Sequence, residues 1–168
     1  MRTGEDLRDL GSGTLGARNT GRALGRAGFA VAMVWDVLKG VGAVGLATLL
    51  APAAAPVAAV AVVLGHLLPI QLGLRGGKGL ATSLGAVAAL APVAAVAALG
   101  VAAILLAVTR RGPPSALAGV AAAPVALWAT GGWGVEVAAV LAIALLVLVR
   151  HADPVASLFK AAAGGGAA

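Results

Sequence analysis

The run Gly76-Gly77-Lys78-Gly79-Leu80-Ala81-Thr82 sets a lysine among three glycines and follows it with an apolar stretch able to begin a helix. Glycines let main-chain N–H groups converge, the lysine supplies a cation, and a helix N-terminus adds its positive end, so the chemistry on offer is anion binding. It is not a Walker A loop, since the first glycine and the four-residue spacer are absent. A second stretch, Gly11-Ser12-Gly13-Thr14-Leu15-Gly16-Ala17-Arg18-Asn19-Thr20-Gly21-Arg22, has the same design, with three glycines in its first six residues and hydroxyl and guanidinium donors around them. Either stretch alone is equally a flexible connector with a lipid-facing cation; two on one face of a membrane favour anion binding.

Four further residues carry titratable groups at telling places. Asp36 and Lys39 stand three apart inside an apolar run, on one helical face. They read either as a pair that neutralises itself inside a bundle or as part of an active site, because ionisable groups at membrane depth are rare and functional by default. His66 and His151 lie where apolar runs end. A lone histidine there is commonly a hydrogen-bonded helix-end residue, but His151 emerges beside the glycine-rich stretches, where an imidazole could take a hydroxyl proton.

The elements that must position these groups follow from composition. Of 168 residues, 61% are hydrophobic and 11% charged, with a mean hydropathy of +1.03, against about 25% charged in soluble domains. A water-facing surface cannot be built from such a chain. It reads as an all-α, polytopic transmembrane bundle of about six spans with Gly-rich cytoplasmic loops, packed through Ala and Gly. The expected organisation is a polar head at residues 1–26, a bundle over 27–151 and a cytoplasmic tail over 152–168. Spans begin near Ala27, Val57, Leu80, Pro92, Ser115 and Val135; the one before Pro92 is too short to cross fully. Residues 1–26 are polar and do not read as a signal peptide. The absence of cysteine excludes disulfide and thiolate chemistry. The +6 charge punctuates apolar spans and does not form the aromatic-laced patch of a nucleic-acid binder. With six spans, the head, the Arg75/Lys78 loop, the Arg110/Arg111 loop and the Arg150/Lys160 tail share one side, while the turns at Pro52, Pro92 and Gly132 carry no Lys or Arg. The positive-inside rule makes the charged side cytoplasmic. Trp128 and Trp133 then read as interface anchors on the other side.

At these residues the chain resembles the PlsY family of membrane acyl-phosphate:glycerol-3-phosphate acyltransferases. That family has a motif close to G-S-G-N-x-G-A-T-N followed by an Arg, matched here from Gly11 to Asn19 with Arg22 at the Arg place. Its G-H-x-x-P, short spacer and G-G-K-G-x-A-T are matched by Gly65-His66-Leu67-Leu68-Pro69 and by Gly76 to Thr82. Asp36-Val37-Leu38-Lys39-Gly40 resembles its D-x-x-K-G, Thr109-Arg110 its T-R, and Arg150-His151 the start of its R-H-x-x-N. Thr14 stands where the family has Asn, Arg18 where it has Thr, and Pro154 where the third motif has Asn. Family members have a further transmembrane helix before the segment matched by Asp6-Leu7-Arg8, so this chain, beginning at Met1, is expected to be a divergent member lacking that helix.

The resemblance implies transfer of a fatty acyl group from acyl phosphate to the 1-hydroxyl of glycerol 3-phosphate, giving lysophosphatidic acid and phosphate in phospholipid biosynthesis. It places the protein in the bacterial inner membrane with its active face cytoplasmic. An acyl phosphate is already an activated anhydride, so no cofactor or metal is called for; the work is to hold two phosphates and align a hydroxyl. The resemblance implies catalytic roles for His151 and Ser12. It implies substrate binding by Arg22, Asn19, Lys39, Gly76, Gly77, Lys78, Gly79, Thr82 and Arg110, with the acyl tail lying along the helices in lipid. Its partners are the two substrates and the bilayer, with no nucleic acid. Two other classes compete: a catalytically silent relative that binds phosphate or lipid headgroups or scaffolds a partner, and a small anion transporter, which lacks the paired repeats expected of that class. Because the chain has no cysteine, Arg22→Cys, Lys78→Cys and His151→Cys each introduce a unique thiol. All three are expected to react with an impermeant maleimide from the same side of a vesicle; labelling from opposite sides overturns the arrangement.

Overall fold

Within a bilayer, a run of Ala, Val and Leu can satisfy its backbone polar groups only by bonding them internally, as a helix does. The computed structural model of the chain describes residues 14, 16–74 and 76–152. Among these residues it has six helices: α1 (Ala17–Leu50), α2 (Ala55–Leu67), α3 (Leu80–Leu90), α4 (Pro92–Thr109), α5 (Gly112–Ala129) and α6 (Val135–Ala152). Prolines set several boundaries. Pro52 opens a single 3-10 turn before α2, Pro92 opens α4, and Ala51 and Ala91 before them are pushed out of the helical region. Arg110 closes α4 in a left-handed conformation.

The polar head, placed ahead of a span starting near Ala27, is helical from Ala17. The chain breaks at Gly25, whose φ of 72° and ψ of −165° are open essentially to glycine alone. Beyond that break the head turns back. A Cβ on Gly21 would stand 2.8 Å from the Cβ of Phe29, whereas eight residues of continuous helix span about 12 Å. The turn is what brings Arg18 and Arg22 over the end of the bundle.

Among the described residues, four segments are long and apolar enough to cross a membrane: Ala17–Leu50, Pro52–Leu72, Pro92–Thr109 and Val135–Ala152. Helix α3 is not, since its 11 residues rise only about 16 Å against a hydrocarbon core of about 30 Å. It sits in the middle of the bundle instead, packed on α1, α2, α4 and α6. Protein, not lipid, covers its far end, where Ala91 is buried, which is the condition under which a helix can stop at membrane depth. The core around it is built of small side chains, among them Ala59, Val63, Ala86, Ala94 and Val147.

The α1–α3 contact is made backbone to backbone. A Cβ on Gly40 would meet the Thr82 carbonyl and, at 2.7 Å, the Ala86 nitrogen; a Cβ on Gly85 would meet the Val37 carbonyl. Small residues permit this approach, and in lipid such packing carries the association that hydrophobic burial carries in water. Gly45, in the same helix, faces open space. Gly85→Ala is therefore expected to destabilise the detergent-solubilised protein by about 1–3 kcal/mol through overpacking. Gly45→Ala is expected to leave stability unchanged or raise it by up to about 1 kcal/mol; paired thermal melts check both signs.

Candidate functional site

The charged ends of the helices converge on one cavity of about 420 Å³. Its polar mouth is lined by Thr14, Arg18 and Arg22 from the head, Lys78 from the loop before α3, and His151 from the end of α6. From there it continues as an apolar channel between α3, α4, α5 and α6, past Leu80, Leu84, Ala98, Val120 and Ile143.

The loop at the mouth is stitched to the end of α2. The Gly77 N–H donates to the His66 carbonyl at 3.1 Å and the Gly76 N–H to the Leu67 carbonyl at 3.2 Å. Both glycines are buried, and a Cβ on Gly77 would strike the His66 imidazole at Nε2. Gly76 and Gly77 were expected to offer their amides to an anion; here those amides hold the loop. The groups left for an anion come later. Gly79 caps α3 at φ 83°, again a glycine conformation, and the first bond of the helix runs from the Ser83 N–H to its carbonyl at 2.8 Å. Leu80, Ala81 and Thr82 thus keep first-turn N–H groups with no intrahelical acceptor. Gly16 packs against this loop, 3.8 Å separating its Cβ position from the Gly77 Cα, so the two glycine-rich stretches do meet.

Beneath the loop, His66 is tied to α1. Lys39 Nζ lies 2.6 Å from Asp36 Oδ1 and 2.5 Å from His66 Nδ1, and His66 Nδ1 lies 3.4 Å from the same carboxylate oxygen. The Asp36–Lys39 pair read from their spacing is present, with His66 as an unforeseen third member. Asp36 and His66 also reach the cavity wall. Removing Lys39 or His66 leaves the buried Asp36 carboxylate without one of its partners, at a cost reduced by solvent around Lys39, whose side chain is 32% exposed.

His151 is held by its own helix. Its Nδ1 is 2.8 Å from the Val147 carbonyl; a carbonyl only accepts, so Nδ1 carries the proton and in the neutral ring Nε2 is left with a free lone pair. A base so oriented, beside the cations Arg18 and Lys78, can take a proton from a hydroxyl.

Of the other residues named from sequence, Arg22, Lys78 and Gly79 line the cavity. Asn19 is fully buried behind the mouth. Thr82 is buried in the α1–α3 contact, its Oγ1 without a hydrogen-bond partner, and Lys39 is engaged as above. Arg110 is exposed at the end of α4, outside the cavity lining. Ser12 lies outside the described residues, as do Arg75 and Pro154. Arg18 lines the mouth although it was not named as a site residue. Its spacing of four from Arg22, one helical face, was the available signal.

The chain and its fold have known counterparts. Residues 1–161 match the family model described as glycerol-3-phosphate acyltransferase. Glycerol-3-phosphate acyltransferase 1 of Desulfitobacterium hafniense is 38% identical over 155 residues, 88% of this chain and 74% of that one. Glycerol-3-phosphate acyltransferase of Anaeromyxobacter dehalogenans is 40% identical over 164 residues, 94% and 82% of the two chains. Among solved structures, the glycerol 3-phosphate form of PlsY (YgiH), an integral membrane glycerol 3-phosphate acyltransferase, superposes with a TM-score of 0.83 at 29% identity, covering 95% of this chain and 82% of that one. Its lysophosphatidic acid form gives 0.79 at 28% identity, covering 89% and 78%.

If the mouth binds phosphate, inorganic phosphate should raise the thermal unfolding temperature in detergent, reaching about 2.7 kcal/mol of stabilisation at a hundredfold excess over Kd. Gly77→Ala, whose methyl must displace the His66 imidazole, is expected to lose most of that shift. An undiminished shift in the variant would show that the loop does not shape the anion site.

Proposed function

The chain belongs to the glycerol-3-phosphate acyltransferase family, and from that premise we propose that it takes its acyl group from an acyl phosphate and delivers it to the 1-hydroxyl of sn-glycerol 3-phosphate. It is a multi-pass membrane acyltransferase, and its product is lysophosphatidic acid. The observation that carries the choice of donor is the shape of the cavity, a cationic mouth continuous with an apolar channel. A molecule with a phosphate at one end and a fatty chain at the other fills both parts at once. Lys78 and the first-turn amides of α3 hold the donor phosphate, and its chain runs down between α3 and α6. Arg22, and Ser12 by the motif match, contribute further contacts to phosphate.

His151 Nε2 takes the proton of the acceptor hydroxyl as its oxygen attacks the acyl carbon. A C–O ester bond forms, the carbon–oxygen bond to phosphate breaks, and inorganic phosphate leaves with the electron pair. The proton passes from the imidazole to the departing phosphate. Lys78 and the α3 amides stabilise the charge that builds on the phosphate oxygens as that bond breaks. Apart from the proton there is little chemistry to assist, because the anhydride is already activated; most of the rate comes from holding two substrates together. The side carrying Arg22, Lys78 and His151 faces the cytoplasm, as the distribution of basic residues in the loops supports, and the membrane is the bacterial inner membrane.

Purified protein given acyl phosphate and glycerol 3-phosphate is expected to release inorganic phosphate only when both are present. His151→Ala should lower that rate by about 100-fold or more, the usual worth of a positioned base, and Lys78→Ala should lower it with a rise in the KM for acyl phosphate. Equal release without the acceptor would mean hydrolysis and would overturn the proposal.

A further inference from the structure

Arg18 stands at the cavity mouth, and among the described residues no carboxylate pairs with it. Its Nη2 lies 3.6 Å from the position of a Cβ on Gly112, so the side chain reaches from the α1 head across to the first turn of α5. That turn is the positive end of a helix. Arg22 and Lys78 line the same mouth, and Arg18, Lys78 and Arg150 all act electrostatically on His151. Among the described residues the carboxylates are Asp36 and Glu136. The first is held by Lys39 and His66, and the second lies in the first turn of α6, at the end of that helix away from His151. A cation serving packing alone gains nothing from such surroundings; one awaiting an anion does.

We propose that Arg18 binds the phosphate of glycerol 3-phosphate, as a contact separate from the one that holds the acyl phosphate; this rests on the acyl-transfer reading above. Two substrates bring two phosphates. Lys78 immediately precedes α3, whose Leu80, Leu84 and Val87 wall the channel, so the anion at Lys78 is the one with a tail in the channel. Arg18 is exposed, at the rim, where a water-soluble substrate arrives with a hydroxyl for His151. A guanidinium matches phosphate with two parallel N–H donors, a geometry that lysine cannot offer. The family motif has Thr at this place, so the contact is particular to this chain and others with Arg there.

Steady-state phosphate release, with each substrate varied in turn, tests the assignment. Arg18→Gln is expected to raise the KM for glycerol 3-phosphate about tenfold or more and that for acyl phosphate less than about threefold, with Arg18→Lys between wild type and Arg18→Gln. Thermal stabilisation by glycerol 3-phosphate, with glycerol as the phosphate-free control, should weaken in step. A KM for glycerol 3-phosphate within about twofold of wild type in Arg18→Gln, or an effect falling on acyl phosphate instead, would overturn the proposal. Should the wild-type protein release no phosphate, the acyl-transfer reading fails by itself. The thermal shift then decides Arg18, and an equal shift in Arg18→Gln refutes it.

Discussion

The close contact between α1 and α3 is the constraint on which the rest is built. Gly40 and Gly85 let two backbones touch, and that contact fixes the height and tilt of a helix too short to span the bilayer. With α3 fixed, the loop before it has one place to lie, against the end of α2. Hydrogen bonds from Gly76 and Gly77 keep it there. Lys78 then lines the cavity mouth, just ahead of the open first-turn amides of α3. The geometry of the candidate site is thus set by main-chain proximity far more than by side-chain bonding.

A second layer of support comes from ionisable groups. Asp36, Lys39 and His66 form a cluster that joins α1 to α2 directly under the glycine-rich loop, with the imidazole packed on Gly77. The motifs found along the sequence as separate blocks are, in space, one stack: acid and lysine, then histidine, then glycine pair, then the cationic mouth. Asp36 touches both this stack and the cavity wall, which ties the loop's support to the site it serves.

Much of this was legible in the residues. Pro52 and Pro92 marked real boundaries, since proline cannot continue the helix before it; Asp36 and Lys39 announced their pairing by their spacing; the glycine-rich stretches and His151 announced a common end. What could not be read has a shared cause. Along helices made of Ala, Val and Leu every face is apolar, so periodicity does not say which face meets which neighbour. The internal channel between α3 and α6 was invisible for that reason, and so was the burial of Thr82 against α1. The use of the Gly76 and Gly77 amides depends on Leu67 and His66, about ten residues away, and no local pattern reports such a bond. Gly25 showed only as a glycine; that it turns the head back follows from a dihedral angle.

The encasement of α3 has an electrical consequence. Peptide dipoles aligned in a helix surrounded by hydrocarbon-like side chains are poorly screened, because neither water nor counter-ions can reorient around the helix shaft. Their field emerges at the one wet end, beside Lys78, so attraction at that point is expected to respond weakly to bulk ionic strength while the exposed rim follows the Debye length. The protein is therefore expected to carry two kinds of positive potential a few residues apart, one following the medium closely and one responding to it less.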